Sequence, residues 1–169
     1  MKKVKDKIVD FYSWVKGAEL VELEHIDVKE DPIRPHIGLE FRLTNGRQIF
    51  GLQAKDNIQA IVCVAWCSDM PKSEPALMKM SEDDKDKTHA IAYTVWSRKR
   101  GAGRKIITAL RDHINKERPD IQKMFTLSPL TPMATHFHIK NGARLISINA
   151  DTQNFQYKLK VENGEKRKD

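Results

Sequence analysis

The sequence predicts an α/β (α+β) fold built on one mixed, mostly antiparallel sheet, and three observations predict it. Residues 20–67 carry short β-type runs broken by turn residues. From residue 89 the pattern alternates strand, helix, strand, helix, strand, strand, as in a β-α-β-α-β unit. At the first junction of that unit Arg98, Gly101 and Gly103 stand at Arg-x-x-Gly-x-Gly spacing, between the β-branched and aromatic run 89–96 and the helical stripe Ile106, Leu110, Ile114.

Each element has its own local reason. Val4, Ile8, Phe11 and Val15 recur at helical spacing, so 2–16 is an amphipathic helix that Gly17 stops. Residues 20–26 alternate apolar and acidic, the mark of a half-buried strand, and Pro32 and Pro35 make the connection after it irregular. Residues 37–43 and 48–53 form two strands joined across Thr44-Asn45-Gly46, and 58–67 is a fully apolar central strand. Residues 69–87, with Pro71, Pro75 and an acidic run, are a mobile surface connection. A helix ending near 117 before Pro119 follows the glycine turn, then a short strand at 122–127. Thr131 caps and Pro132 opens a helix over 132–140 that ends at Asn141-Gly142. Residues 143–149 and 154–161 form an antiparallel pair. The expected organisation is one domain over 1–161 and a charged, disordered tail over 162–169.

A chain of 169 residues suits one domain with a real core. The net charge of +7 favours an anionic partner: nucleic acid, an anionic membrane surface or a polyanionic cofactor. Cys63 and Cys67 show no metal-ligand spacing, so no metal is expected, and they read as reduced core thiols of a cytoplasmic protein. No targeting segment is expected, because Asp10 and Lys16 interrupt any apolar stretch after the basic start. The longest apolar run, at 58–66, is too short to span a bilayer.

The glycine turn is built for an anion. Positive φ and close approach to a ligand are cheapest at glycine, and the following helix start adds free N–H groups and its positive dipole end. Arg98, Lys99, Arg100, Arg104 and Lys105 surround it. Walker A and dinucleotide glycine patterns are both absent. The turn resembles the acyl-CoA signature of the GNAT superfamily of acyltransferases. That resemblance implies a GNAT-like sheet with helices on both faces and a central splayed strand pair. It implies acyl-CoA bound by Tyr93, Thr94 and Val95 of the strand and by Arg98, Lys99, Arg100, Gly101, Ala102, Gly103 and Arg104 of the turn. The usual helix pair between the first two GNAT strands is not apparent in this sequence.

A second constellation lies at 134–143. Ala134 and Gly142 keep the frame of the fourth-helix segment of GNAT proteins, and His138 stands where a tyrosine commonly protonates the departing thiolate; an imidazolium could do that work near neutral pH. Leu127-Ser128-Pro129 and Phe137-His138-Ile139-Lys140-Asn141-Gly142-Ala143, followed by Asn149, are similar to the GNAT-folded catalytic domain of malonyl-CoA decarboxylase. This likeness implies Ser128 and His138 as catalytic residues. Ser128 could equally be a turn residue and His138 a satisfied core histidine, and His136 should point to another helix face. His89 and Glu40 are candidate bases, and Tyr93 and Trp96 candidate lining of the cofactor path.

The expected function is transfer of an acyl group, most simply acetyl from acetyl-CoA, to an unidentified amine. Decarboxylation of malonyl-CoA or a related thioester is the alternative. A basic nucleic-acid-binding module is a third reading, disfavoured by the lack of aromatics interleaved with the basic residues. An edge strand near the C-terminus would allow a homodimer.

Overall fold

The computed structural model describes residues 17–159; the helix expected over 2–16 and the tail over 162–169 lie outside them. The first half runs β1 (Glu19–Leu23), a 3-10 turn (Val28–Glu30), α1 (Leu39–Leu43), β2 (Gln48–Ala54), β3 (Asn57–Cys67) and α2 (Glu74–Glu82). The second runs β4 (His89–Ser97), α3 (Ala102–Glu117), β5 (Lys123–Thr126), β6 (Ser128–Pro129), α4 (Pro132–Lys140), β7 (Arg144–Ile148) and β8 (Thr152–Tyr157).

Strands β1 to β4 form an antiparallel meander, β4 pairs parallel with β5, and β8 lies antiparallel to β5, β6 and the edge strand β7. The period-2 alternation of strand side chains sends β3 residues to two cores. Val62 and Val64 meet Ile106, Ile107, Leu110 and Ile114 of α3 on one face. Ile61, Cys63 and Ala65 meet Leu77, Ile91 and Tyr93 on the other. Burial on both faces is why 58–67 is apolar without interruption. Cys63 and Cys67 are buried free thiols, and burial pushes them up to about 11 and about 12 respectively.

Two expectations are corrected. Residues 37–43 are not a strand: they hold the short helix α1, which with the 3-10 turn occupies the β1–β2 connection where no helix was expected. The hydrophobic pattern misled because the anchor of this segment is polar. Arg42 is fully buried, donating through Nε to the carbonyl of Ile37, through Nη1 to Asp31 and through Nη2 to the carbonyl of Arg34. Asn45 and Gly46, both at positive φ, turn the chain out of α1 into β2, and the hairpin turn falls instead at Lys55-Asp56, with Lys55 at φ 56°. Nor is 69–87 only a loop. Ser73 accepts a hydrogen bond from the amide of Ala76, capping α2, which buries Leu77 and Ser81.

Two irregularities open the sheet. The β3–β4 register passes from Cys63↔Thr94 to Val64↔Ala92, so Tyr93 is the extra residue of a bulge. The β4–β5 pairing ends at Ala92↔Thr126, with one further bond from the Leu127 amide to the Ala92 carbonyl, and beyond it the strands part. The segment 31–34 is pinned beside this gap by the carboxylate of Asp31. It accepts from the amides of Ile33 and Arg34, from Thr94 Oγ1 and from Arg42 Nη1 at 2.9–3.0 Å.

Neutralising one partner leaves a buried guanidinium unpaired. Asp31→Asn is therefore expected to cost about 3–5 kcal/mol, read from urea unfolding, whereas a surface change such as Asp56→Asn should fall within about 0.5 kcal/mol of the parent.

Candidate active site

A cavity of about 300 Å³ occupies the gap between the splayed strands. Tyr93, Thr94 and Val95 line it from β4, Gly103 from the start of α3, Ser128 from β6 and His138 from α4. Arg34, Trp96 and Phe137 line it as well. The remaining turn residues, Arg98, Lys99, Arg100, Gly101, Ala102 and Arg104, are not part of its lining.

At the turn, the amides of Arg98 and Lys99 donate to the Gln59 carbonyl, and the amide of Ala102 to the Lys99 carbonyl. The amides of Arg100, Gly101, Gly103 and Arg104 have no partner among the described residues, the condition for an anion site at a helix start. Gly101 sits at φ +82°, which favours glycine. Gly103 is favoured for a different reason: a Cβ there would come within 3.1 Å of the Phe137 ring, which would have to shift by a few tenths of an ångström. Lys99, Arg100, Arg104 and Lys105 are exposed, but the Arg98 side chain turns away to Glu30, at 2.6 Å through both carboxylate oxygens.

The two candidate catalytic side chains have fixed backing. His138 Nδ1 is 2.7 Å from the hydroxyl of Tyr157, and the ring stacks on Phe155 at 4.9 Å. The phenol proton has no other acceptor among the described residues, so Tyr157 donates to Nδ1 and the ring proton resides on Nε2. Burial pushes the His138 pKa down to about 4. The ring is neutral at neutral pH, which corrects the expectation of an imidazolium; its Nε2–H remains a donor. Ser128 Oγ lies 2.8 Å from Thr126 Oγ1, which accepts the amide of Phe155. Both hydroxyls are buried and either can be the donor of this bond, which fixes the position of Ser128 Oγ at the cavity wall. The indole N–H of Trp96 is buried without a partner among the described residues.

His89 stacks on Phe125 at the end of β4 away from the gap, and Glu40 is exposed on α1, so neither candidate base lines the cavity. His136 is exposed on another face of α4, as expected, beside Lys140 in a shallow groove. Sequence reasoning missed Arg34, Thr126 and Tyr157. The last two look like ordinary strand residues, and Arg34 lies in a segment with no periodic pattern. Among the described residues no group of His, Cys, Asp or Glu could hold a metal ion, and no helix is long and apolar enough to cross a membrane.

The fold with this gap and glycine turn is the GNAT fold. No family model matches the sequence, and no curated protein is similar to it in sequence. Solved structures are similar in shape. Malonyl-CoA decarboxylase from Agrobacterium vitis is 17% identical with a TM-score of 0.60, over 86% of this chain and 42% of that one. The GNAT-like decarboxylase GphF in complex with isobutyryl-CoA is 12% identical with a TM-score of 0.58, over 72% and 83%. A Bacillus subtilis acetyltransferase in complex with CoA is 10% identical with a TM-score of 0.55, over 82% and 97%. The chain thus spans about two fifths of the length of the Agrobacterium vitis decarboxylase.

The buried imidazole makes a pH prediction. The unfolded chain binds the His138 proton near pH 6.5 and the folded protein only near pH 4, so the unfolded state holds more protons between those values. Stability attributable to this group is full above that window and falls as pH drops through it, by up to about 3 kcal/mol. Urea unfolding between about pH 7 and about pH 4.5 should show a smaller loss in His138→Gln than in the parent.

Proposed function

We propose that this protein binds an acyl-CoA thioester in the gap between β4 and β5 and decarboxylates a malonyl-type acyl chain. The observation that supports this reading is the chemistry of the lining: the Nε2–H of a neutral His138 and the hydroxyl of Ser128 are on the cavity wall, and among the described residues no aspartate or glutamate lines it. Such a lining stabilises negative charge as it moves onto a thioester oxygen. Amine acylation instead needs a group that takes a proton from the attacking nitrogen, and a histidine with its acceptor nitrogen already occupied by Tyr157 is not that group.

The pyrophosphate falls to the free amides of Arg100, Gly101, Gly103 and Arg104 and the cations around them. Tyr93, Thr94 and Val95 line the path of the pantetheine arm. In the reaction the bond between Cα and the carboxylate carbon breaks. Its electron pair forms the Cα=C bond of an enolate while the carbonyl pair moves to oxygen. Carbon dioxide leaves, and Cα takes one proton from water. Ser128 and the Nε2–H of His138 orient the carboxylate and the thioester by hydrogen bonds, with Tyr157 and Thr126 holding them in register.

Acetyl transfer to an amine is the second reading, favoured by the shape shared with the Bacillus subtilis acetyltransferase. Mass spectrometry of malonyl-CoA incubated with the protein, without any amine, separates the two. Acetyl-CoA is the expected product, with its rate about 100-fold lower in Ser128→Ala and about tenfold lower in Tyr157→Phe. Unchanged malonyl-CoA together with acetylation of an amine from acetyl-CoA would replace decarboxylation by transfer.

A further inference from the structure

Two arginines are buried in the segment between β1 and β2, and their bonding differs. Arg42 uses all three of its nitrogens within the protein and does not line the cavity. Arg34 uses two. Its Nε donates to Glu74 at 2.9 Å and its Nη1 to the carbonyl of Tyr93, while Nη2 has no partner among the described residues. Its side chain is 4% exposed and lines the cavity. Nη2 is not one of the fully buried unpartnered atoms, so it is open at the cavity wall, where an anion that displaces water would form a charge-assisted bond.

We infer that Arg34 is a further catalytic residue, whose Nη2 donates to the negative oxygen that develops on the bound thioester. The inference rests on the acyl-thioester reading above. Position supports it. One end of the cavity is Gly103 beside Ser97, at the anion-binding turn; the bond to Tyr93 puts Arg34 at the bulge, four residues back along β4 and next to the point where the strands part. A CoA thioester carries its phosphates at one end and its reacting carbonyl at the other, so phosphates at the turn bring the carbonyl toward the bulge.

The charge around Arg34 is compatible with this role. Asp31 is saturated by its four donors, and Glu74 is 37% exposed and shared with His36, so water screens it. Burial lowers the Arg34 pKa and Glu74 opposes the shift, and an arginine keeps its charge at neutral pH. The thioester oxygen is the better partner than the acyl carboxylate, because an ion pair with the carboxylate would stabilise the group the reaction must lose.

The test compares the full chain with Arg34→Gln in three measurements: kcat for malonyl-CoA, the dissociation constant of acetyl-CoA, and deuterium uptake at the acetyl-CoA methyl in heavy water. Deuterium uptake needs the same enolate but no carboxylate. The expected result is a fall of about 100- to 1,000-fold in kcat and in exchange together, with acetyl-CoA affinity changed less than about threefold. Exchange and kcat within a fewfold of the parent would overturn the inference. So would a loss confined to the KM for malonyl-CoA with exchange intact, which would make Arg34 a carboxylate anchor. If Arg34→Gln does not fold, Arg34→Lys carries the same test, since a compact ammonium on a flexible stem lacks the rigid fork that aims one arm at the Tyr93 carbonyl and the other at the substrate oxygen. Failure of the parent to bind any CoA thioester would instead remove the acyl-thioester reading itself, and is read separately in the acetyl-CoA titration.

Discussion

The buried carboxylate of Asp31 is the interaction on which the site depends. Residues 31–38 carry two prolines and little regular structure, so few main-chain bonds could hold them against the sheet. Asp31 gathers four donors from three places: its own turn, α1 through Arg42, and β4 through Thr94. A buried ion pair is weak evidence for stability, because apolar residues of similar volume often serve as well. Its value here is position. The bond to Thr94 ties the segment to the residue after the bulge, and the bond to the Arg34 amide aims the neighbouring guanidinium at the bulge carbonyl.

The gap in the sheet follows from backbone bookkeeping. Pairing of β4 with β5 needs donors and acceptors on both edges, and it stops where Leu127 makes the last bond to β4. Past that point Ser128 and Pro129 pair with β8 on the far side, and proline has no N–H to offer β4. Orphaned main-chain groups inside a protein must find other partners. Arg34 supplies one, at the carbonyl of Tyr93. The irregularities that interrupt the sheet are thus the same ones that create the cavity and bring a cation to its wall.

Much of this could be read from the residues in order, and the boundary between legible and illegible is physical. Helix α4 spans the expected 132–140, because a threonine cap, a proline at the first position and an Asn-Gly end are local signals. Ser128 and His138 line one cavity because short motifs on adjacent elements converge across a tight connection. Helix α1 was illegible: Ile37, Leu39, Phe41 and Leu43 suit a strand of period 2, and the deciding residue was a buried arginine whose partner is eleven positions away. The cap of α2 at Ser73 was readable in principle but lay inside a charged, proline-bearing stretch. The neutral state of His138 was out of reach, since it depends on Phe155 and Tyr157, brought over it by β8.

The two faces of the sheet contribute different chemistry to one site. Helices α3 and α4 lie on the side of Val62 and Phe155 and bring the glycine turn, Phe137 and His138. The segment with Asp31 and Arg34 lies on the side of Cys63 and Tyr93. An intact sheet would separate them, with its strands filling the space between. The gap joins them, and the small, low-polarity volume it leaves strengthens every dipole that faces it. A neutral histidine is well suited to such a place. Its N–H is oriented by Tyr157 and costs no proton transfer before use, whereas an imidazolium there would have to be created against its burial.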